Sequence, residues 1–571
     1  MSDGRLPTRR RTAGWIVAAI VALLLFAIGW VVVRGFGAVS ELQNAQRSVA
    51  QLHAAIDENA FERAERVAPR IAQHAELARD LSADPIWRAF EFAPWLGQNL
   101  TAIREVAGIS GDAADDAVRP IVRLAPDVDL ASLGLSGSRV DLTVLPGATD
   151  TLADAASVLA EADAKARLID LVGLLPPIAD AVRQARATLG DAASAVGALH
   201  DASLLLPGML GGSEPRTYVL AVQNNAELRA HGGTIAAFLQ LRAADGAISI
   251  ERAVSGRDLP ALTTPLDLDD AVLELYGDGP GRIARDMTSV PDFASAAALV
   301  AQRWQSRFDI AVDGVVAVDI QTMRHVLSVT DRVEFDAFTA TSKSIASVLT
   351  SEVPQTLPDP AAQEVAFSRA AQAVLEAALS AQKPAALLSA LSDAARDDRL
   401  RIWSAHAEEQ EVLAASALGG ALPADRENEA HVGVLVDDRT DAPLDAYATT
   451  TISTALGTCD GAAVTQVRVT WTNDVPDEVA ASAPAPPEGD PGSTRTLIAI
   501  YGPEGASARE GAAATLDGRP VVQHEVALAP GETATVTATF TGAGSGERLT
   551  HLHHTPMLDD PEIIRADVDC G

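Results

Sequence analysis

Tyr218-Val-Leu-Ala-Val-Gln-Asn-Asn-Ala-Glu-Leu-Arg-Ala-His-Gly-Gly-Thr-Ile-Ala-Ala-Phe238 is the stretch on which the reading of this chain turns. Its first five residues form a short apolar run, the pattern of a buried strand. Polar groups then crowd together: Gln223, Asn224, Asn225, Glu227, Arg229 and His231. A Gly232-Gly233 pair follows, and a second apolar run, Ile235 to Leu241, leads to Asp245-Gly246. Asp-Gly between apolar runs is a strong hairpin signal. Amides, a carboxylate and a guanidinium at the end of a buried strand point to a ligand site. The competing reading is a polar network that caps the strand and its turn.

Downstream of this stretch, strand-like runs (Ile248 to Ala253, Val315 to Ile320) alternate with helix-like ones (Pro291 to Phe308, Ser342 to Leu357, Asp359 to Ala381). That alternation predicts an α/β domain with a mixed sheet over residues 207–425. After Pro423 the texture becomes short β-rich runs: Val432 to Val436, Tyr447 to Ile452, Val464 to Trp471, Thr494 to Tyr501, Pro520 to Leu528 and Thr533 to Phe540. Their spacing predicts a β-sandwich of immunoglobulin-like type over 426–571. Proline-rich Val475 to Ser493 reads as a mobile loop.

Upstream, residues 1–13 are polar and basic and read as a cytoplasmic tail. Gly14 to Val33 is uninterrupted by charge, about twenty residues long, and so long enough to span a bilayer as a helix. Trp15 and Trp30 sit near its ends, and the preceding arginines place the N-terminus inside. The expected location is therefore the cell membrane, crossed once, with everything after Arg34 outside. A cleaved signal peptide is the alternative; its apolar region is normally shorter. Residues 34–206 are Ala-rich, with Leu42, Val49, Leu52 and Ile56 at helical spacing. They predict an antiparallel helical stalk, interrupted by a loop at 125–148 and by Pro176-Pro177. Within it, Pro85-Ile-Trp-Arg-Ala-Phe-Glu-Phe-Ala-Pro-Trp-Leu-Gly97 concentrates aromatic residues. A hydrophobic elbow between helices is the favoured reading, and a membrane-proximal docking patch the sharper one. The fold class expected is thus α+β multidomain: a single transmembrane helix, a helical stalk, a central α/β domain and a C-terminal β-sandwich.

Composition excludes some functions. The 571 residues carry a formal net charge of −33, which argues against nucleic-acid binding, because that requires a basic surface. Two cysteines, Cys459 and Cys570, offer no Cys-x-x-Cys zinc pair. In an exported chain they can form one disulfide, and the sequence leaves that open against two unpaired thiols. No phosphate loop, Gly-x-Ser-x-Gly elbow or His-Glu-x-x-His motif is present.

Other candidate clusters follow. In Gly281-Arg-Ile-Ala-Arg-Asp-Met-Thr-Ser-Val-Pro-Asp-Phe293, Arg282, Arg285 and Asp286 precede a helix start at Pro291-Asp292. Guanidinium groups bind phosphate oxygens bidentately, and Mg²⁺ prefers a few carboxylates with phosphate oxygens. In Val312-Asp-Gly-Val-Val-Ala-Val-Asp-Ile320, Asp313 reads as a turn residue entering a buried strand, and Asp319 near its far end is open between a structural and a functional role. Arg257-Asp258 is a weaker pair after a strand. His551, His553 and His554 are close together; on a strand the first two share a face. A metal site there competes with a plain solvent-facing strand.

Asn-Asn-x-Glu-Leu-Arg-x-x-Gly-Gly at 224–233 resembles the signature of an uncharacterised bacterial family, the domain of unknown function numbered 4012. Residues 281–293 resemble its second block, 312–320 a third, and Leu400 to Gln410 also matches; the similarity covers roughly 85–105 and 215–425. The turn Asp441-Ala-Pro-Leu-Asp-Ala-Tyr447 departs from the Lys- and Tyr-rich turn of the relatives. That family is distantly similar to the LytR-CpsA-Psr enzymes, which transfer glycopolymers to the cell wall and hold a polyprenyl pyrophosphate with Mg²⁺ through arginines and aspartates. The resemblance implies an envelope protein acting in glycopolymer or wall assembly, with lipid-linked glycopolymer or peptidoglycan as partner. In a phosphotransferase of that type, Arg229, Arg285 and Asp286 are the catalytic candidates. Asn224, Asn225, Glu227 and Arg282 would bind substrate, and Asp286 and Asp319 would hold Mg²⁺. The alternative is a non-catalytic scaffold or binding protein.

Overall fold

A computed structural model describes residues 9–57, 60–94, 96–124, 139–140, 142, 147–381, 383–420, 422, 424–425, 429–440, 442–481, 483, 489–511, 514–542 and 549–570. The chain divides into two compact units: a helical one through Leu206, and a second that holds Pro207 onward.

The helical unit begins with α1 (Arg9–Asp57), followed by α2 (Phe61–Ser82), α3 (Pro85–Phe90), α4 (Gly97–Ala113), α5 (Arg119–Leu124), α6 (Thr149–Arg167) and α7 (Pro176–Met209). Among the described residues, one helix, near the N-terminus, is long and apolar enough to cross a membrane. Trp15, Leu23, Leu25, Phe26, Val33 and Phe36 of α1 are exposed, whereas Val31 is buried. From Ala38 onward the helix buries one face: Ala38, Leu42 and Ala45. The apolar run and the first helix of the expected stalk are therefore one continuous rod. Alanines allow this close packing, since Ala72, Ala75 and Ala78 of α2 are almost wholly buried. Pro176 and Pro177 open α7, a position where the missing amide hydrogen costs nothing. The break expected at those prolines lies just before them, at 168–175. The expected loop at 125–148 falls almost entirely outside the described residues.

The second unit opens with a five-stranded sheet ordered β3-β2-β1-β4-β7, built from β1 (Arg216–Asn224), β2 (Thr234–Ala244), β3 (Ala247–Ser255), β4 (Gly314–Val318) and β7 (Leu400–Ser404). A small hairpin, β5 (Val333–Phe335) and β6 (Phe338–Ala340), stands apart from it. β1 pairs parallel to β4 and antiparallel to β2, so the sheet is mixed. Asp245 and Gly246 both take positive φ, 49° and 79°, which closes the β2–β3 hairpin as the sequence predicts. Helices α8 (Asp270–Tyr276), α9 (Gly279–Arg282), α10 (Phe293–Phe308) and α11 (Ile320–Val329) follow, along with further helices at Pro360–Leu379 and Pro384–Arg396. Asp292 caps α10 by accepting a hydrogen bond from Ser295 N at 2.8 Å.

The β-rich part places two five-stranded sheets over one core. The first is ordered β13-β14-β11-β8-β16: β8 (Glu429–Asp438), β11 (Thr494–Tyr501), β13 (Ala514–Leu516), β14 (Arg519–Leu528) and β16 (Leu549–His554). The second is β12-β15-β10-β9-β17: β9 (Ala448–Cys459), β10 (Ala462–Asn473), β12 (Ser507–Ala508), β15 (Thr533–Thr541) and β17 (Glu562–Asp567). Val432, Val434 and Val436 of the first sheet meet Val467, Val469 and Trp471 of the second, which makes a sandwich. The six predicted β runs fall in these strands, except that Tyr447 ends a short turn (Asp445–Tyr447) just before β9. Part of the Val475 to Ser493 segment lies outside the described residues. Cys459 and Cys570 are joined in a disulfide with Cα atoms 5.5 Å apart.

The α/β part and the sandwich are not separate cores. Leu435, Leu497, Ala499, Tyr501 and Val521 bury their side chains in the same cluster as Phe238, Met287 and Trp304 of the α/β part. Tyr276 and Tyr501 share a buried hydrogen bond, 2.8 Å between their hydroxyl oxygens. β8 therefore buries both faces, alternate side chains going to each core, which explains its nearly unbroken burial.

Candidate functional site

The signature loop, 224–233, leaves the end of β1 and returns as β2. Asn224 Oδ1 accepts from Ala226 N (3.1 Å), turning the chain. The two glycines are required by space. A Cβ on Gly233 would sit 2.1 Å from the Asn224 carbonyl oxygen, and Gly232 has a φ of 123°. The loop is almost wholly buried, so each polar group on it needs a partner.

Those partners are protein groups. Arg229, 3% exposed, donates through Nε and Nη2 to Asp286 Oδ1 (3.1 and 2.8 Å). Its Nη1 donates to the carbonyls of Leu228 (2.8 Å) and Asp438 (3.1 Å). Asp437 Oδ1 lies 3.4 Å from Nε and Asp438 Oδ2 3.9 Å from Nη1. Asp437 in turn pairs with Arg439 at 2.9 Å and accepts from the Ser289 hydroxyl at 2.7 Å. Burial opposes the Arg229 charge, but Asp437, Asp286 and Asp438 outweigh it and make the guanidinium more basic than in water. Burial also pushes Asp437 and Asp438 upward, Asp438 to about 7, against the pull of Arg229. Asp445, wholly enclosed and close to Asp438, is pushed well above the usual carboxylate range by burial and by that neighbour. Arginine does not deprotonate in proteins, so a closed site must supply it with anions.

The rest of the loop is held in the same way. Leu228 inserts its side chain into the sandwich core, its amide donates to Asp445 Oδ2 at 2.8 Å, and its carbonyl accepts from Asp438 N at 2.9 Å. Asn225 Nδ2 donates to Asp319 Oδ2 (3.0 Å), Pro556 O (3.0 Å) and Gly232 O (3.2 Å). Glu227 pairs with Arg285 at 2.5 Å. His231 is buried edge-on against Phe293; burial and the nearby Arg401 depress its pKa well below the ordinary value, so it is neutral.

Arg229, Asp286, Asn225, Glu227 and Arg285 are therefore brought together around one loop. Arg282 is engaged elsewhere, with Asp278 (2.5 Å) and the Leu262 carbonyl (3.1 Å). Asp319 follows β4 and caps α11, accepting from Thr322 N (2.8 Å) and pairing with buried Arg399 (2.8 Å). Asp313 accepts from Thr217 N (2.8 Å) and pairs with Arg216 (3.2 Å). Arg257 pairs with Glu364 at 2.7 Å.

The fit to Mg²⁺ is poor. A cation at Asp286 would face Arg229, and one at Asp319 would face Arg399 and the donating amide of Asn225. Among the described residues, no group of three or more His, Cys, Asp or Glu side chains is arranged to hold a metal. A surface depression of about 450 Å³, lined by Arg324, His325, Ser328, Ser342, Lys343 and Ala346, includes none of the signature residues.

Sequence reasoning missed Asp437, Asp438, Asp445 and Arg399. A signal was present: Asp437-Asp438-Arg439 ends a strand as Asn224-Asn225 does. His551 and His553 do share a face, as expected for a strand, and meet His431, which was missed: His431 Nδ1 lies 3.0 Å from His553 Nε2, and its ring stacks on His551.

From Pro207 onward the chain is one compact unit, in which a mixed α/β sheet and the β-rich part share a core beside a buried polar loop. Residues 213–353, about a quarter of the chain, match the family model described as a protein of unknown function, DUF4012. The match contains the signature loop, the Arg285-Asp286 turn and Asp319, and is narrower than the span of resemblance read from the sequence. No curated protein and no solved structure matches the chain.

Proposed function

We propose that this is a membrane-anchored, extracytoplasmic protein of the bacterial cell envelope that serves wall or glycopolymer assembly as a non-catalytic binding scaffold. The observation that carries the second half is the environment of Arg229. A clamp for a diphosphate needs guanidinium groups facing a cleft, with anions absent until substrate arrives. Here Arg229 is buried with Asp286 and Asp437 at 2.8 and 3.4 Å, and Arg285 is paired with Glu227. The signature residues thus act as an interdomain weld. The anchoring half is supported by the apolar helix α1 and by the Cys459–Cys570 disulfide, a bond that persists in oxidising compartments.

The test uses full-length protein in lipid nanodiscs, titrated with a polyprenyl diphosphate with and without Mg²⁺. The scaffold reading expects no saturable, Mg²⁺-dependent binding. Such binding, lost in an Arg229→Lys variant of native circular dichroism, would overturn it. Protease digestion of intact spheroplasts tests the location: residues beyond Arg34 should be degraded without lysis.

A further inference from the structure

We infer that the helical unit carries an apolar collar that dips into the outer leaflet of the bilayer beside α1; this rests on the anchoring reading above. Arg34 is the first charged residue after the apolar run and so marks where α1 leaves the membrane. Its guanidinium donates to the carbonyls of Asp80 (2.6 Å) and Leu81 (2.9 Å) and pairs with Asp84 at 3.1 Å. One turn earlier, the Trp30 indole donates to the same Asp84 at 2.9 Å. Trp87 is wholly buried with Val31, Ala38, Leu100 and Ile103. The 84–97 segment is therefore fixed at the level of the membrane exit.

A second loop, 168–175, is tied to it. Leu175 N donates to Asn99 Oδ1 at 2.8 Å, and the Gln98 side chain donates to the Gly173 carbonyl. From these two loops Phe92 (91% exposed), Leu168 (84%), Val172 (81%) and Leu175 (53%) stand free of the protein. Their loop neighbours do the opposite: Trp87 and Ile169 are buried in the bundle. Within 168–175, Ile169 turns inward while Leu168, Val172 and Leu175 turn outward, and exposed Asp170 is the one charged residue of the loop.

The occupant we assign is lipid, because the patch lies at the exit of a spanning helix. Apolar and aromatic side chains there gain from the interface. Attraction to anionic headgroups is not the driver in a chain of net charge −33. Within residues 85–97, buried Trp87 fits the elbow reading, and Phe92 is the residue that this inference assigns to the collar.

The test places single labelled cysteines on the full-length chain in two sets of proteoliposomes, one with the quencher at the lipid headgroup and one with it midway along the acyl chain, where position 25 is read. Phe92→Cys and Val172→Cys carry the collar. Leu25→Cys reports on the span itself. Gln51→Cys, about 25 Å further along α1 at 1.5 Å per residue, is the water-facing control. Quenching at 92 and 172 several-fold above that at 51 is the expected result. Quenching at 25 but not at 92 or 172 would overturn the collar and leave the anchor standing. No quenching at 25 would overturn both. Circular dichroism of each variant checks that the helices are retained.

Discussion

Removing the Arg229 guanidinium should unfasten the α/β part from the sandwich. At 2.8 Å and an effective dielectric near 20, one Arg–Asp contact is worth roughly 6 kcal/mol of Coulomb attraction, and Arg229 makes such a contact with Asp286. Most of that is offset by desolvation, but truncating one partner strands the other. The measured cost of breaking a buried pair is about 3–5 kcal/mol. Arg229→Met leaves Asp286 and Asp437 facing each other without a cation between them. It also leaves the Leu228 and Asp438 carbonyls without their donor. Because two compact units need not unfold together, a single melting temperature is the wrong observable. Native-state hydrogen exchange is local. Amides of β8 and of residues 224–233 should lose roughly 10²- to 10³-fold protection, since each tenfold is about 1.4 kcal/mol. Amides of α2 and α4, in the helical unit, should not change. Adding Asp286→Asn should restore part of the loss, because it removes one stranded charge. Protection of β8 within threefold of wild type in Arg229→Met would refute the weld and return Arg229 to the pool of ligand-binding residues.

Three further outcomes follow from the same architecture. Leu228→Ala, which empties a position in the sandwich core, should cost about 2–5 kcal/mol and be read by fluorescence of buried Trp471; an unchanged denaturation midpoint would contradict the insertion. Reducing the Cys459–Cys570 bond, which closes a separation of 111 residues, should destabilise the sandwich by about 2–5 kcal/mol, seen as faster hydrogen exchange of the β9 and β17 amides with reductant. His431 is held at about 4, by burial and then by His553 and His551, against 6.5 unfolded. The folded state therefore binds fewer protons, and the His431 contribution is present above pH 6.5 and lost as pH falls from 6.5 toward 4, by about 1.4 kcal/mol per unit. Because Asp438 and Asp445 respond in the opposite sense, the comparison is with His431→Gln. That variant should be less acid-sensitive over this window, and parallel pH profiles would argue against the histidine stack.

The elements were legible because their signals are local. Asp245-Gly246 needs only its own backbone to specify a hairpin, and Asp292 only the three residues after it to cap α10. The site was legible in membership but not in role. Asn225, Glu227, Arg229, Arg285 and Asp286 do meet, as their grouping suggested. Whether Arg229 faces a ligand or a carboxylate depends on Asp437, which lies on a strand two hundred residues away. No pattern within the loop encodes that. Likewise β8 reads as an ordinary short strand, and nothing in Val432 to Val436 says that one face belongs to the sandwich and the other to the α/β core.

The partners of Asn225 set an order of events. One of its three acceptors is the carbonyl of Pro556, and Arg399 likewise donates to the Met557 carbonyl at 2.8 Å. The amide and the guanidinium are made 331 and 158 residues before the oxygens that satisfy them. During synthesis the β1–β2 hairpin can form early, but its loop stays unfinished until residues 555–557 have been made. Until then the chain exposes open polar groups and half a core. Folding of this unit is therefore timed by its most distant strand, with a high contact order. A chain stalled before residue 555 would be a substrate for proteases rather than a shorter working protein.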